Sequence, residues 1–217
     1  MTTLLRIDAS ARTERSLSRA LADRFVAAWA EACPATRVLN RDVGRASPPP
    51  ITEEWIAAAF TPEPERTAAQ SAVLAMSDRL IDELAAADLL VIATPMYNYG
   101  LPAALKAWVD QVIRVNRTFT FDLARGDQPL EPVFSGKTLV LLTSSGEFGF
   151  EPGGINAGAD HLTPHVATLT RYLGIAETHR IAIEYQEFGD ARHAASRASA
   201  ERAVPELVDR LAARISA

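Results

Sequence analysis

Cysteine is almost absent. Cys33 stands alone among 217 residues, so no intrachain disulfide can form. Positive charge is in deficit: 22 Lys plus Arg face 27 Asp plus Glu, a net charge of −5. Nucleic acid and anionic membranes both call for a basic face, so neither is an expected partner. Lysine is scarcer still, with only Lys106 and Lys137. No apolar run approaches the roughly 20 residues of a membrane-spanning helix. The N-terminus runs into Thr3–Asp8 without a basic stretch leading a long apolar one, so no secretory signal is expected and the expected setting is cytoplasmic. The four histidines form no metal set. His161 and His165 share i, i+4 spacing, but no Glu sits between them as in H-E-x-x-H. Ser144 and Ser145 are not in G-x-S-x-G, which leaves a hydrolase weakly supported.

What is present is a regular alternation. Hydrophobic residues make up 48%, enough for an ordinary globular core. Leu4, Leu5, Ile7 and Ala9 predict a buried strand. Leu17, Leu21, Phe25 and Ala28 then mark one helix face, which Pro34 ends. Arg37–Leu39 suggests a second strand. Ser47–Pro50 is a stiff connector, and Thr52–Phe60 reads as a short helix. A longer helix spans about Thr67 to Ala87, with Val73, Met76, Leu80 and Leu84 on its apolar face.

Leu89–Ala93 has the unbroken apolar run of a parallel strand buried on both faces. A helix follows Pro102 through Leu105, Trp108, Val109, Val112 and Ile113. Arg117–Gly136 is a long excursion with a short strand at Thr118–Phe121. Thr138–Thr143 is the next strand, Asp160–Leu173 a helix, Arg180–Ile183 the last strand and Arg192–Ile215 the last helix, with Pro205 inside it. Strand–helix alternation predicts an α/β fold, a doubly wound five-stranded parallel sheet in the order 2-1-3-4-5. Residues 1–217 read as one domain.

Ligands of such sheets bind beyond the carboxyl ends of the strands, at the switch point. Three turns matter there. The first carries Ser10, Ser16 and Ser18 at the start of a helix, where free amides and the helix dipole favour an anion. A capping role for Ser16 competes with that reading. No glycine lies in this turn, so dinucleotide fingerprints and P-loops are both unsupported. The second turn is Pro95-Met96-Tyr97-Asn98-Tyr99. Its aromatics could pack on a flat ring and its amides could face ring heteroatoms; alternatively, they simply cover the sheet end. The third, Ser144-Ser145-Gly146-Glu147, offers further amides and hydroxyls.

These residues resemble the FMN-dependent NADH-azoreductases and NAD(P)H:quinone reductases of the flavodoxin-like superfamily, nearly end to end. The strongest piece is Pro95–Tyr99, continued by Pro102, Leu105 and Lys106. Ser10 with Ser16-x-Ser18, Gly136-Lys137, Thr143-Ser144, Thr163-Pro164 and Gly174-Ile175 support it. The resemblance implies FMN as tightly bound cofactor, its phosphate held at Ser10, Ser16, Leu17 and Ser18. Pro95, Met96, Tyr97, Asn98 and Tyr99 would border the isoalloxazine together with Ser144, Ser145, Gly146 and Glu147. It further implies a homodimer, NADH or NADPH as co-substrate, and hydride transfer through FMN to a quinone or azo compound by ping-pong exchange. The cofactor carries that chemistry, so no protein group is assigned as catalytic. Two departures stand out: Glu147 occupies a position commonly glycine in the family, and Tyr99 replaces a frequent phenylalanine. The alternative reading is a flavodoxin-like electron carrier or redox-responsive binding protein without useful turnover.

Overall fold

The computed structural model describes residues 2–215. Its elements in chain order are β1 (Thr3–Asp8), α1 (Leu17–Ala32), β2 (Arg37–Asp42), α2 (Glu53–Phe60), α3 (Ala68–Ala86), β3 (Leu89–Pro95), α4 (Ala103–Val112), β4 (Phe119–Phe121), β5 (Leu130–Pro132), β6 (Lys137–Ser144), α5 (Thr163–Leu173), β7 (Ile175–Ile183) and α6 (Ala191–Ile215). Five strands form one parallel sheet in the order β2-β1-β3-β6-β7, the expected doubly wound, flavodoxin-like order. β4 and β5 pair separately as an antiparallel hairpin.

The central strands are apolar because both their faces are covered. Leu89 to Thr94 are all buried, as a strand flanked by helix layers requires. One layer joins α3, α4 and α5 to the sheet through Leu80, Leu84, Trp108, Val112 and Val166. The other joins α1 and α6 through Phe25, Trp29, Val204 and Leu211.

The 43–67 excursion packs Trp55, Ala58 and Ala59 against Leu74 of α3 as a small separate core. A chain of hydrogen bonds fastens it to α3 and α4. Trp55 donates to Gln111 Oε1 at 2.9 Å, and Gln111 Nε2 donates to Pro49 O at 2.9 Å. Ser77 Oγ donates to Gln111 O at 2.6 Å and accepts from buried Arg114 at 2.8 Å. The expected face of α3 holds at Leu80 and Leu84, which are buried, and is corrected at Val73. Val73 is 41% exposed while Leu74 is fully buried, because the inward face runs through Leu74, Ser77, Ile81 and Leu84 and includes a polar residue that periodicity alone passes over.

Two of the supporting motif pieces, Gly136-Lys137 and Gly174-Ile175, are structural. Lys137 is buried and donates to Ala87 O at 2.6 Å and Ala85 O at 3.1 Å, capping the last carbonyls of α3. Burial lowers its pKa, with Asp88 opposing. Gly174 ends α5 at φ +75°, where an added Cβ would lie 2.5 Å from Phe134 Cβ. Cys33 is half-buried, packed against the α1–α6 layer. Among the described residues no helix is long and apolar enough to cross a membrane.

Candidate functional site

The strand register brings the three turns to one edge. Asp8 pairs with Ala93, Pro95 with Ser144, and Ser144 with Ile183. The chain reverses its winding between β1 and β3, so the turns after β1, β3 and β6 open on one crevice.

The first turn is a buried cradle. Ser10, Ser16 and Ser18 are 2%, 9% and 0% exposed. Ser16 does cap α1, accepting from the Arg19 amide at 3.4 Å, so the capping reading holds for this side chain. Its Oγ also lies 3.4 Å from Ser18 Oγ, and Ser10 Oγ accepts from the Arg12 amide at 3.2 Å. Leu17 and Ser18 are the first two residues of α1, and an α-helix gives such amides no internal acceptor. Two free N–H groups, the dipole of α1 and three converging hydroxyls suit a phosphate dianion.

Beneath the cradle lies a charge network that the sequence reading missed. Arg19 donates to Asp42 through both terminal nitrogens at 2.7 Å. It also donates to Ser10 O at 2.7 Å and to Arg12 O at 2.9 Å, and lies 3.7 Å from Asp8. The Asp42 hydrogen bond raises the Arg19 pKa. Burial pulls Asp42 upward, but hydrogen bonds from Arg19 and the Arg45 amide outweigh it and leave its carboxyl below the ordinary range. Asp8 is raised, chiefly by burial, against the pull of Arg6. Behind Ser10, a Cβ on Gly44 would sit 2.1 Å from the Ser10 carbonyl oxygen, so only glycine fits this close approach. Arginine at the third position of a helix reads as an ordinary exposed residue, which is why the sequence carried no signal for it.

The second turn is a tight hairpin. Tyr97 and Gly100 exchange backbone hydrogen bonds at 3.1 and 3.0 Å. Asn98 and Tyr99 between them have φ +47° and +65°, the signature of a type I′ turn. The hairpin narrows which amides of the segment can face a ring. Met96 donates to Ser144 O, and Tyr97 and Gly100 to each other. Only the Asn98 and Tyr99 amides, among Met96 to Gly100, have no acceptor within the described residues. Tyr97 and Tyr99 are 38% and 43% exposed. The Tyr97 hydroxyl accepts from the Ala11 amide at 3.3 Å, tying this turn to the cradle.

The third turn is laced to the segment after β7. Ser145 donates to Ile183 O, while Gln186 and Glu187 donate back to Ser145 O and Gly146 O. The Gly146 and Glu147 amides have no acceptor within the described residues. An added Cβ on Gly146 would lie 2.5 Å from the Glu187 carboxylate. Tyr99 donates its hydroxyl to Glu147 Oε1 at 3.1 Å, which joins the second and third turns. That hydrogen bond raises the Tyr99 pKa, with the charge of Glu187 adding to it. Four free amides and two exposed aromatics thus share one rim with the cradle, a donor set suited to a flat, heteroatom-edged ring carrying a phosphate.

Such a cradle and rim, at the switch point of a 2-1-3-4-5 sheet, define a flavodoxin-like protein. The family described as having a flavodoxin-like fold matches residues 2–207, and this chain belongs to it, among the FMN-dependent NADH:quinone oxidoreductases. An FMN-dependent NADH:quinone oxidoreductase 2 of Idiomarina loihiensis is 52% identical over 208 residues, covering 93% of this chain and 87% of that protein. One from Colwellia psychrerythraea is also 52% identical, covering 97% of this chain and 100% of the relative. An azoreductase structure from Bacillus anthracis superposes with a TM-score of 0.85 at 21% identity, covering 97% of this chain and 100% of that one. An FMN-dependent NADH-azoreductase from the same species, in complex with FMN, gives 0.84 at 17% identity, covering 98% and 100%. At that identity the two structures speak for the fold.

Proposed function

We propose that this protein is an FMN-dependent oxidoreductase that takes electrons from NADH or NADPH and passes them to quinones and aromatic azo compounds by ping-pong exchange. The observation that carries the proposal is the meeting, at one switch point, of a buried hydroxyl and amide cradle with a rim of free amides and exposed tyrosines. The names of the relatives support the choice of FMN, NADH and quinone.

Bound FMN would supply two-electron transfer between the nicotinamide and the acceptor. Ser10, Ser16, Leu17 and Ser18 would hold its phosphate. Pro95, Met96, Tyr97, Asn98 and Tyr99 would border one part of the ring. Ser144, Ser145, Gly146 and Glu147 would border another, with free amides donating to ring heteroatoms. Tyr97 and Tyr99 would exclude water from the crevice. No side chain is assigned as acid or base.

The same proposal takes residues 1–217 as one domain, the setting as cytoplasmic and the active unit as a homodimer. Phe121, Leu123 and Val133 in and around the β4–β5 hairpin are half or more exposed. The same hairpin lends Phe119 and Leu130 to a cleft of about 360 Å³, whose walls also include Lys106, Val109 and Tyr172. Apolar surface of this kind favours association, and light scattering should return twice the chain mass.

The decisive experiment is spectroscopic. Purified protein should be yellow and release FMN, not FAD, on denaturation. Anaerobic NAD(P)H should bleach it, and menadione or benzoquinone should restore the colour. Double-reciprocal plots at several fixed quinone concentrations should be parallel. Intersecting lines would remove ping-pong exchange. Bleaching without turnover would leave an electron carrier, and protein colourless after excess FMN would sink the proposal.

A further inference from the structure

We infer that Arg19 is a positioning residue for the cofactor phosphate, setting the peptide planes of the cradle without contacting the phosphate as a cation. The inference rests on the FMN reading above and assigns that site a residue outside its lining.

Arg19 points inward. Its side chain is 12% exposed and every terminal nitrogen is engaged: both with Asp42, one of them also with Ser10 O, and one 3.7 Å from Asp8. Two carboxylates already balance its charge, so it offers the cleft no free positive charge. Its remaining donor, Nε, holds Arg12 O at 2.9 Å.

Those two backbone contacts have a geometric consequence. The chain contains no cis peptide among the described residues, and in a trans peptide the carbonyl and the following N–H point in opposite directions. Carbonyls of Ser10 and Arg12 that are turned to Arg19 therefore turn the amides of Ala11 and Thr13 away from it. The Ala11 amide reaches the Tyr97 hydroxyl, and the Thr13 amide has no acceptor within the described residues. Gly44 closes the other side, leaving no room behind the Ser10 carbonyl for even a methyl group. Asp42 holds the guanidinium fork, the fork holds two carbonyls, and the carbonyls set the open face of the turn. Lysine cannot replace this fork, because an ammonium lacks the planar, fixed spread of donors.

The test compares FMN with riboflavin, which has the ring and ribityl chain but no phosphate. Equilibrium dissociation constants are measured by flavin fluorescence quenching for wild type, Arg19→Gln, Arg19→Lys and Asp42→Asn, at low and high salt. FMN affinity should fall by about ten- to a hundredfold in both Arg19 variants. Asp42→Asn should lower it by a smaller factor. Riboflavin affinity should stay within about threefold and the salt dependence of FMN binding should be unchanged, since no phosphate-pairing cation is lost. Equal losses for both flavins would make Arg19 a general structural residue and overturn the inference. So would full FMN affinity in Arg19→Lys, or a weaker salt dependence in Arg19→Gln, either of which marks a direct cation. Wild-type protein that binds neither flavin would overturn the FMN reading and this inference with it.

Discussion

The turn after β1 and the turn after β3 open on the same crevice but are held in opposite ways. The first has no aromatic and no glycine between Ser10 and Ser18. Its hydroxyls are buried, its carbonyls are clamped by Arg19, and Gly44 presses on its back. The second projects two tyrosines toward solvent on a hairpin tip whose central residues sit at positive φ. A non-glycine residue there carries strain of order 1 kcal/mol, which its hydrogen-bonded ends over-determine. The difference divides the labour. A prearranged anion cradle retains a cofactor, because little ordering remains to be done on binding. An exposed aromatic rim suits ligands that enter and leave.

The strongest way to break that contrast is to put a charge in the cradle. Ser18→Asp should abolish most FMN binding. A lost hydrogen bond to a charged group costs about 1.5–3 kcal/mol, and a carboxylate beside the phosphate adds repulsion of about 1–4 kcal/mol. Ser18→Ala should show only the first loss. Unchanged FMN affinity in Ser18→Asp, measured by calorimetry, would mean that the cradle holds no phosphate.

A smaller effect tests the clamp itself. Asp42 has a carboxyl held below the ordinary range, mainly by Arg19 against the pull of burial. A carboxylate depressed in the folded chain adds stability above its unfolded pKa of about 3.9, and that stability is lost as pH falls through the lower folded value. Wild type should therefore resist urea better than Asp42→Asn at neutral pH, and the gap should narrow below about pH 4. A gap that persists undiminished at acid pH would remove the ion pair as its source.

The smallest change belongs to the rim. Glu147→Gly and Tyr99→Phe both delete the hydrogen bond between the second and third turns. Each should alter the ratio of quinone to azo turnover while leaving the rate of flavin bleaching near that of wild type. A bleaching rate that falls as far as the acceptor ratio shifts would place this contact at the nicotinamide step too.

The division between these regions also explains what the sequence made legible. The sheet strands and their order were readable because β3 and β6 carry unbroken apolar runs, and β1 sets Leu4, Leu5 and Ile7 ahead of the first polar turn. The edge strand β7 begins five residues before the expected Arg180. Its first half carries Glu177 and His179, the polar alternation of an edge strand rather than a buried run. β5 is three residues ending in Pro132, too short for a periodic signal. α5 starts at Thr163 rather than Asp160, whose carboxylate instead accepts from the Leu162 and Thr163 amides. In the site, the serines and tyrosines were visible because they follow strand ends. Arg19 and Gly44 were not, since a carbonyl clamp depends on where β2 delivers Asp42 and has no local pattern.

The scarcity of lysine acquires a practical meaning beside the cleft near α4. Of the two lysines, Lys137 is sealed under α3, while Lys106 keeps 44% of its side chain in contact with water and leans on Asp110 at 2.6 Å. An acylating dye would thus find one side-chain amine to label on the folded protein. That amine stands on the wall shared with Phe119, Leu130 and Tyr172. Substitution chemistry normally needs an engineered handle to report on one surface of a protein. Here an arginine-rich composition has left such a handle in place, on the wall of the apolar cleft beside α4.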